Sequence, residues 1–188
     1  MNTGMRDCCD DLAGRVIDIC RDSRFYLAAS ESLTGGLLAD AFVRIPGASD
    51  VFLGSSVTYD IAAKASVLSV NPNLLKMHGA VHPRVAEEMA LGTARLYTQY
   101  DYEGRVIGMA TTGVAGPGPD GDNPAGLVYI GYALPRRLIE PTAVHRELVD
   151  DYRTLSYELH LEGDREQVRR GTVMRVLDRL NKTLMLYT

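Results

Sequence analysis

Residues 25–43 read FYLAASESLTGGLLADAFV. The first five, Phe25 to Ala29, are an unbroken apolar run of strand length. The last seven, Leu37 to Val43, carry the apolar spacing of a helix. Between them lies Ser30-Glu31-Ser32-Leu33-Thr34-Gly35-Gly36, a polar turn with three hydroxyls and two glycines. Strand, tight turn and helix start in that order define one unit of an α/β fold. Such a turn can present a serine nucleophile. It can also bind an anion on the free N–H groups of the helix N-terminus.

The same alternation continues on both sides. Leu12, Val16 and Ile19 mark one face of a first helix that ends near Ser23. Pro46-Gly47-Ala48-Ser49 is a turn, and Val51 to Tyr59 then reads as a second strand. Asp60 stands where an N-cap belongs, ahead of a helix carrying Lys64. Asn71-Pro72 opens a short helix and Pro83 a long one to about Gln99, with Ala86, Ala90 and Ala94 as a close-packing stripe. Val106 to Thr112 and Leu127 to Leu134 are further strands, and Thr142 to Val149 is expected to be another. Between the first two lies Gly113 to Gly126, GVAGPGPDGDNPAG, too rich in glycine and proline for regular structure. Asp164, with Gln167 three residues on, starts the last helix as a capping box. Strands alternating with helices give an α/β class, one domain over residues 1–188, with helices on both faces of the sheet. Ligands in such folds gather at the C-terminal ends of strands. Three ends are marked: Ser32 to Gly36, Tyr59 to Lys64, and Gly113 to Gly126. They are expected to converge on one site.

Composition narrows the chemistry. The 188 residues are 46% hydrophobic and 23% charged with a net charge of −4, and Lys and Arg cluster only in the short pairs Arg136-Arg137 and Arg169-Arg170, so nucleic acid is not the expected partner. No apolar run reaches membrane-spanning length, and Met1 to Asp11 has no leader-like core. Cys8, Cys9 and Cys20 form neither a disulfide framework nor a zinc motif, which fits a reducing cytoplasm. His78, His82, His145 and His160 lack ligand spacing, so no metal is expected. Asp120 and Asp122 are expected to form turns.

Locally, Ser32 or Thr34 is a helix cap as readily as a nucleophile, since capping serines are far more common. Gly35 and Gly36 weaken a helix and point to a close approach to the backbone. Lys64 is either a solvated helix residue or, if desolvated beside Ser32, a neutral base for its hydroxyl. Tyr59 is either a packed aromatic at the rim or an orienting partner for the pair.

Several motifs resemble the CinA C-terminal domain family, which includes stand-alone PncC-type nicotinamide-nucleotide amidases. These are Glu31-Ser32-Leu33-Thr34-Gly35-Gly36, Val57-Thr58-Tyr59 with Ala63-Lys64, Gly79-Ala80-Val81, Thr112 to Pro117, Gly126 to Gly131, and Gly163-Asp164-Arg165. The resemblance implies an α/β sandwich with a mixed sheet, a stand-alone form and a homo-oligomer. It implies a hydrolase that converts nicotinamide mononucleotide to nicotinate mononucleotide and ammonia, with no cofactor. Ser32 maps onto the nucleophile, with Lys64 and Tyr59 as its catalytic partners. Glu31, Thr34, Gly35, Gly36, Gly113 and Gly116 are the expected substrate-binding positions. Departures from the motifs are Leu33 in place of a common cysteine, and His82 and Thr112 in place of serines. The segment Gly118 to Pro124 matches loosely. A non-catalytic nucleotide- or phosphate-binding module, or a protein-interaction role, stands as the other expectation.

Overall fold

The computed structural model describes residues 3–139 and 151–187. In chain order the elements are α1 Thr3–Ser23, β1 Tyr26–Glu31, α2 Leu37–Val43, β2 Phe52–Val57, α3 Ile61–Leu68, α4 Pro72–His78 and α5 Pro83–Tyr97. There follow β3 Val106–Gly113, β4 Leu127–Pro135, α6 Arg136–Ile139, β5 Tyr152–His160 and α7 Arg165–Tyr187. The strands form one sheet in the order β2-β1-β3-β4-β5. β1 runs parallel to β2 and β3, whereas β3–β4 and β4–β5 are antiparallel. The sheet is therefore mixed, as the resemblance implied.

Two apolar layers cover it. Phe42 of α2, Val16 and Ile17 of α1 and Val176 and Leu177 of α7 pack with Leu27, Ala29, Ile107 and Met109 on one face. Val85, Met89, Ala90 and Ala94 of α5 pack with Ala28, Val106, Ala110 and Ala133 on the other. Because β1 is covered on both faces, it reads as a continuous apolar run rather than an alternating one. The alanine stripe of α5 is needed for the close approach: a Cβ added at Gly108 of β3 would lie 2.0 Å from the Ala90 carbonyl oxygen.

The starts of the helices follow the expected cap chemistry. Asp60 accepts from the N–H groups of Ala62 and Ala63, and Asn71 from that of Asn73. Asp164 and Gln167 exchange hydrogen bonds of 2.7 and 2.9 Å in a reciprocal capping box. His82 caps α5 through Nδ1, which accepts from the Arg84 N–H at 3.2 Å.

α1 ends at Ser23 as expected and begins at Thr3, with Cys9 extending the buried stripe of Ala13, Val16, Ile17 and Cys20. One element differs from expectation. The fifth strand is Tyr152–His160, a segment assigned no element from sequence; the strand expected at Thr142 to Val149 lies outside the described residues. The overlooked signal is a period of two, Leu155, Tyr157, Leu159 and Leu161, all packed against the α1–α7 layer.

Sheet register then positions the functional end of the molecule. Glu31, the last residue of β1, pairs with Val57 of β2 and Thr111 of β3. Ser32, Thr58-Tyr59 and Thr112-Gly113 consequently leave the sheet together.

Candidate active site

Ser32 is the first residue beyond β1, and it is held from both sides. Its N–H donates to the Thr111 carbonyl at 3.0 Å, and its carbonyl accepts from the Gly35 N–H at 3.2 Å. Thr34 Oγ1 shares a 2.8 Å hydrogen bond with Thr111 Oγ1. Arg169 of α7 reaches back over the turn: Nε donates to the Leu33 carbonyl and Nη2 to that of Thr34, both at 2.9 Å. The turn is thus fastened to β3 and to α7, so Ser32 Oγ has little freedom to wander.

Neither Ser32 nor Thr34 caps α2. Gly36 occupies the N-cap position with no side-chain cap of its own. The Glu31 carboxylate does that work from below. Oε2 accepts from the N–H groups of Gly36 and Leu38 at 2.9 and 3.0 Å, and Oε1 from that of Ala39 at 3.0 Å. Ser55 Oγ of β2 donates to Oε1 at 2.9 Å. A buried carboxylate at a helix N-terminus is favoured by the helix dipole as well as by these four donors. This corrects two expectations. The start of α2 is no anion nest for a ligand, because its N–H groups already serve Glu31. The two glycines do not answer a steric need either: their φ values are 54° and 97°, a Cβ at Gly36 would meet nothing within 4 Å, and one at Gly35 would make only ordinary contact, 3.5 Å from Arg169 Nη2. The left-handed backbone is what excludes other residues there.

Lys64 enters from the second strand end. The Asp60 cap sets the start of α3, and Lys64 falls on its inner side, 0% exposed. Its Nζ lies 3.2 Å from Ser32 Oγ and 2.5 Å from the Thr58 carbonyl oxygen. Among the described residues it has no ion-pair partner. Burial lowers its pKa from 10.5 to about 8, against the opposing pull of the Asp60 charge. About a tenth of Lys64 is then neutral at pH 7. The solvated-lysine alternative is excluded by burial, and the Ser32 hydroxyl has a base within hydrogen-bond reach.

A cavity of about 320 Å³ opens beside Ser32, lined by Tyr59, Gly113, Gly116, Asp120 and Arg165 among others. All three expected strand ends contribute. Arg165, the first residue of α7, is the one cation of the lining. Its Nη1 donates to the Gly116 carbonyl at 2.6 Å and Nη2 to Tyr59 Oη at 3.2 Å. Tyr59 is 63% exposed, and its hydroxyl meets Arg165 rather than Ser32 or Lys64. Thr112 Oγ1 donates to the Ala80 carbonyl at 2.7 Å and ties down Ala80-Val81, which also line the cavity.

Of the expected site residues, Ser32, Tyr59, Gly113 and Gly116 therefore border the cavity, and Lys64 touches Ser32 from the protein side. Glu31, Thr34, Gly35 and Gly36 do not line it; they hold the turn from behind. Arg165 and Arg169 were given no role from sequence. The capping box places both in the first turns of α7, but the segments they grip are far away in the chain. Among the described residues no group of three His, Cys, Asp or Glu side chains is arranged to hold a metal ion. No helix among them is long and apolar enough to cross a membrane.

Comparison with known proteins matches the sequence and the fold to a family. A family model described as the CinA C-terminal domain matches residues 9–184. A CinA-like protein of Frankia casuarinae is 38% identical over 176 residues, 93% of this chain and 35% of its own length. The chain spans about a third of the length of the curated relatives it matches. Among crystal structures, the competence damage-inducible protein A (ComA) of Klebsiella pneumoniae superposes with a TM-score of 0.80 at 26% identity, covering 96% of this chain and 99% of that one. The competence/damage inducible protein CihA of Agrobacterium tumefaciens gives 0.77 at 28% identity, covering 94% of this chain and 95% of that one.

Proposed function

Because this chain belongs to the CinA C-terminal domain family, and because a desolvated lysine sits beside the serine of its first strand end, we propose that it hydrolyses the carboxamide of nicotinamide mononucleotide. The products are nicotinate mononucleotide and ammonia. The observation that carries the reading is the 3.2 Å separation of Lys64 Nζ and Ser32 Oγ, with Lys64 fully buried.

In the proposed sequence neutral Lys64 takes the Ser32 proton as Oγ attacks the amide carbon. Two N–H groups beside the nucleophile, those of Leu33 and Thr34, have no acceptor among the described residues. Of the two only Leu33 borders the cavity, and its N–H is the proposed donor to the oxyanion, a contribution on the order of 3 kcal/mol. Charged Lys64 then protonates the departing ammonia, leaving an acyl ester on Ser32. Water cleaves that ester with Lys64 as base again, and the carboxylate product leaves. Arg165 supplies the positive charge for the substrate phosphate, with Gly113 to Gly116 as the loop it secures. Tyr59 is proposed to orient Arg165 and to border the substrate, rather than to relay the Ser32 proton.

Ammonia release from nicotinamide mononucleotide tests the proposal. The wild type is expected to turn over, and Ser32→Ala to lose turnover while remaining folded by circular dichroism. Lys64→Arg is expected to fail as well, because a guanidinium does not become a neutral base at pH 7. Substrate binding without ammonia from the wild type would move the assignment to a binding module. Full turnover by Ser32→Ala would remove Ser32 as the nucleophile.

A further inference from the structure

A second cavity, of about 240 Å³, lies at the other end of the sheet, where β1 and β3 begin. Arg21, Arg24 and Arg105 line it, together with Phe25, Tyr26 and a single carboxylate, Asp50. Arg21 is already engaged, with Asp18 at 2.8 Å and Asp50 at 3.3 Å. The other two guanidinium groups have no ion-pair partner among the described residues. Arg105 donates to the Asp101 backbone carbonyl and lies 5.5 Å above the Tyr26 ring. The Arg24 side chain is exposed and makes no hydrogen bond among the described residues. Three cations against two carboxylates, Asp50 in the lining and Asp18 on Arg21, leave a local excess of positive charge on a chain of net charge −4.

The backbone supplies a separate observation. α1 ends in a loop where the Phe25 N–H donates to the Cys20 carbonyl at 2.9 Å and the Arg24 N–H to that of Arg21 at 3.3 Å. This pattern puts Arg24 in the left-handed region, at φ 59°. Glycine, or failing that asparagine, is the residue that fits such a C′ position without strain. The closing hydrogen bonds need only the backbone, so glycine would make them without the strain that an arginine carries there, and among the described residues no hydrogen bond or ion pair of the Arg24 side chain offsets it. Strain kept by a side chain with no such partner points to a functional position.

We propose that this cavity is a second binding site, for a compact phosphate group held by Arg24, Arg105 and Arg21. The ligand is inorganic phosphate or a small phosphomonoester. Guanidinium groups suit a tetrahedral oxyanion because they donate in pairs. The site lies at the opposite end of β1 from Ser32, so it does not depend on the reaction assigned to that serine.

Thermal unfolding of the full chain at constant ionic strength tests this, with about 10 mM inorganic phosphate or ribose 5-phosphate as probe. Occupancy at roughly ten times Kd raises the wild-type Tm by about 3 °C. Exclusion of phosphate from the surface acts on every variant alike, so the increment specific to the wild type is what counts. Arg24→Gly and Arg24→Asn are expected to have a phosphate-free Tm equal to or above the wild type, since they relieve the left-handed strain, and to lose the specific increment. Arg165→Gln removes the cation proposed for the substrate phosphate beside Ser32 and is expected to keep the part of the increment that Arg24→Gly loses, which separates the two cavities. A larger rise with the ester identifies a phosphomonoester, and an equal or smaller one the free anion. The proposal is overturned if neither probe gives an increment. Equal increments in the wild type and Arg24→Gly overturn it too, as does loss of the increment in Arg165→Gln. So does a lower phosphate-free Tm in both Arg24 variants.

Discussion

Lys64 shows how one buried side chain sets activity and stability against each other. Its pKa is about 8 in the folded chain, against 10.5 for the free group. Below pH 8 it is charged whether folded or unfolded, and the burial penalty is present in full, roughly 3 kcal/mol. Between pH 8 and 10.5 the unfolded chain holds a proton that the folded chain has released, so stability rises with pH across that window. Two outcomes are expected. Ammonia release should increase with pH with a midpoint near 8, as the neutral amine becomes populated. Lys64→Met should abolish turnover yet stabilise the fold at pH 7 by about 1–2 kcal/mol in urea unfolding, because it removes a buried charge at nearly constant volume. A flat rate across pH 6.5 to 9, taken as about the range where the amine titrates, would count against Lys64 as the base.

The strand–turn–helix unit around Ser32 depends on two charged residues with different duties. Glu31 closes the start of α2 with three backbone N–H groups and Ser55. Glu31→Gln replaces one acceptor oxygen by a donor and leaves buried N–H groups unmet. It is expected to cost about 3 kcal/mol of stability by urea unfolding. Arg169 instead grips the carbonyls of Leu33 and Thr34. Arg169→Ala is expected to lower kcat for ammonia release by about tenfold while changing stability by no more than about 1–2 kcal/mol. A fall in both by the same route, with kcat restored on refolding at low temperature, would make its role one of stability alone. The order of strand, turn and helix was legible from the run FYLAASESLTGGLLADAFV, as was the Asp164–Gln167 capping box. The Glu31 cap was not, because it acts across a turn to an element that begins six positions later in the chain.

Across the whole molecule, α5 and the sheet meet at glycines that allow backbone contact. A Cβ at Gly108 would lie 2.0 Å from the Ala90 oxygen, and one at Gly131 would lie 2.1 Å from the Ala86 oxygen. Gly108→Ala must displace α5 from β3, and the expected cost is about 3 kcal/mol or more, measured as a lower urea midpoint with an unchanged m-value. That shift would also carry His82 and the Ala80-Val81 wall of the cavity, so KM for the nucleotide should rise with it. The stripe Ala86, Ala90 and Ala94 announced this packing; its partners on the sheet did not show, since a glycine in a strand carries no periodic signal.

Short-range chemistry was sufficient for the alternation of strands and helices, the caps, the glycine-rich loop and the nomination of Ser32, Tyr59 and Lys64. Hydrophobic period, turn residues and cap residues act over a few positions, so a linear chain displays them. The serine turn itself remained open between helix cap and nucleophile on those grounds. Tertiary structure closed the first option by giving the cap to Glu31, and it brought Lys64 across 32 residues to Ser32. It also brought Arg165 across 49 and 106 residues to Gly116 and Tyr59. Those distances depend on the register of three parallel strands and the docking of α7, which are properties of the packed sheet and of no single segment.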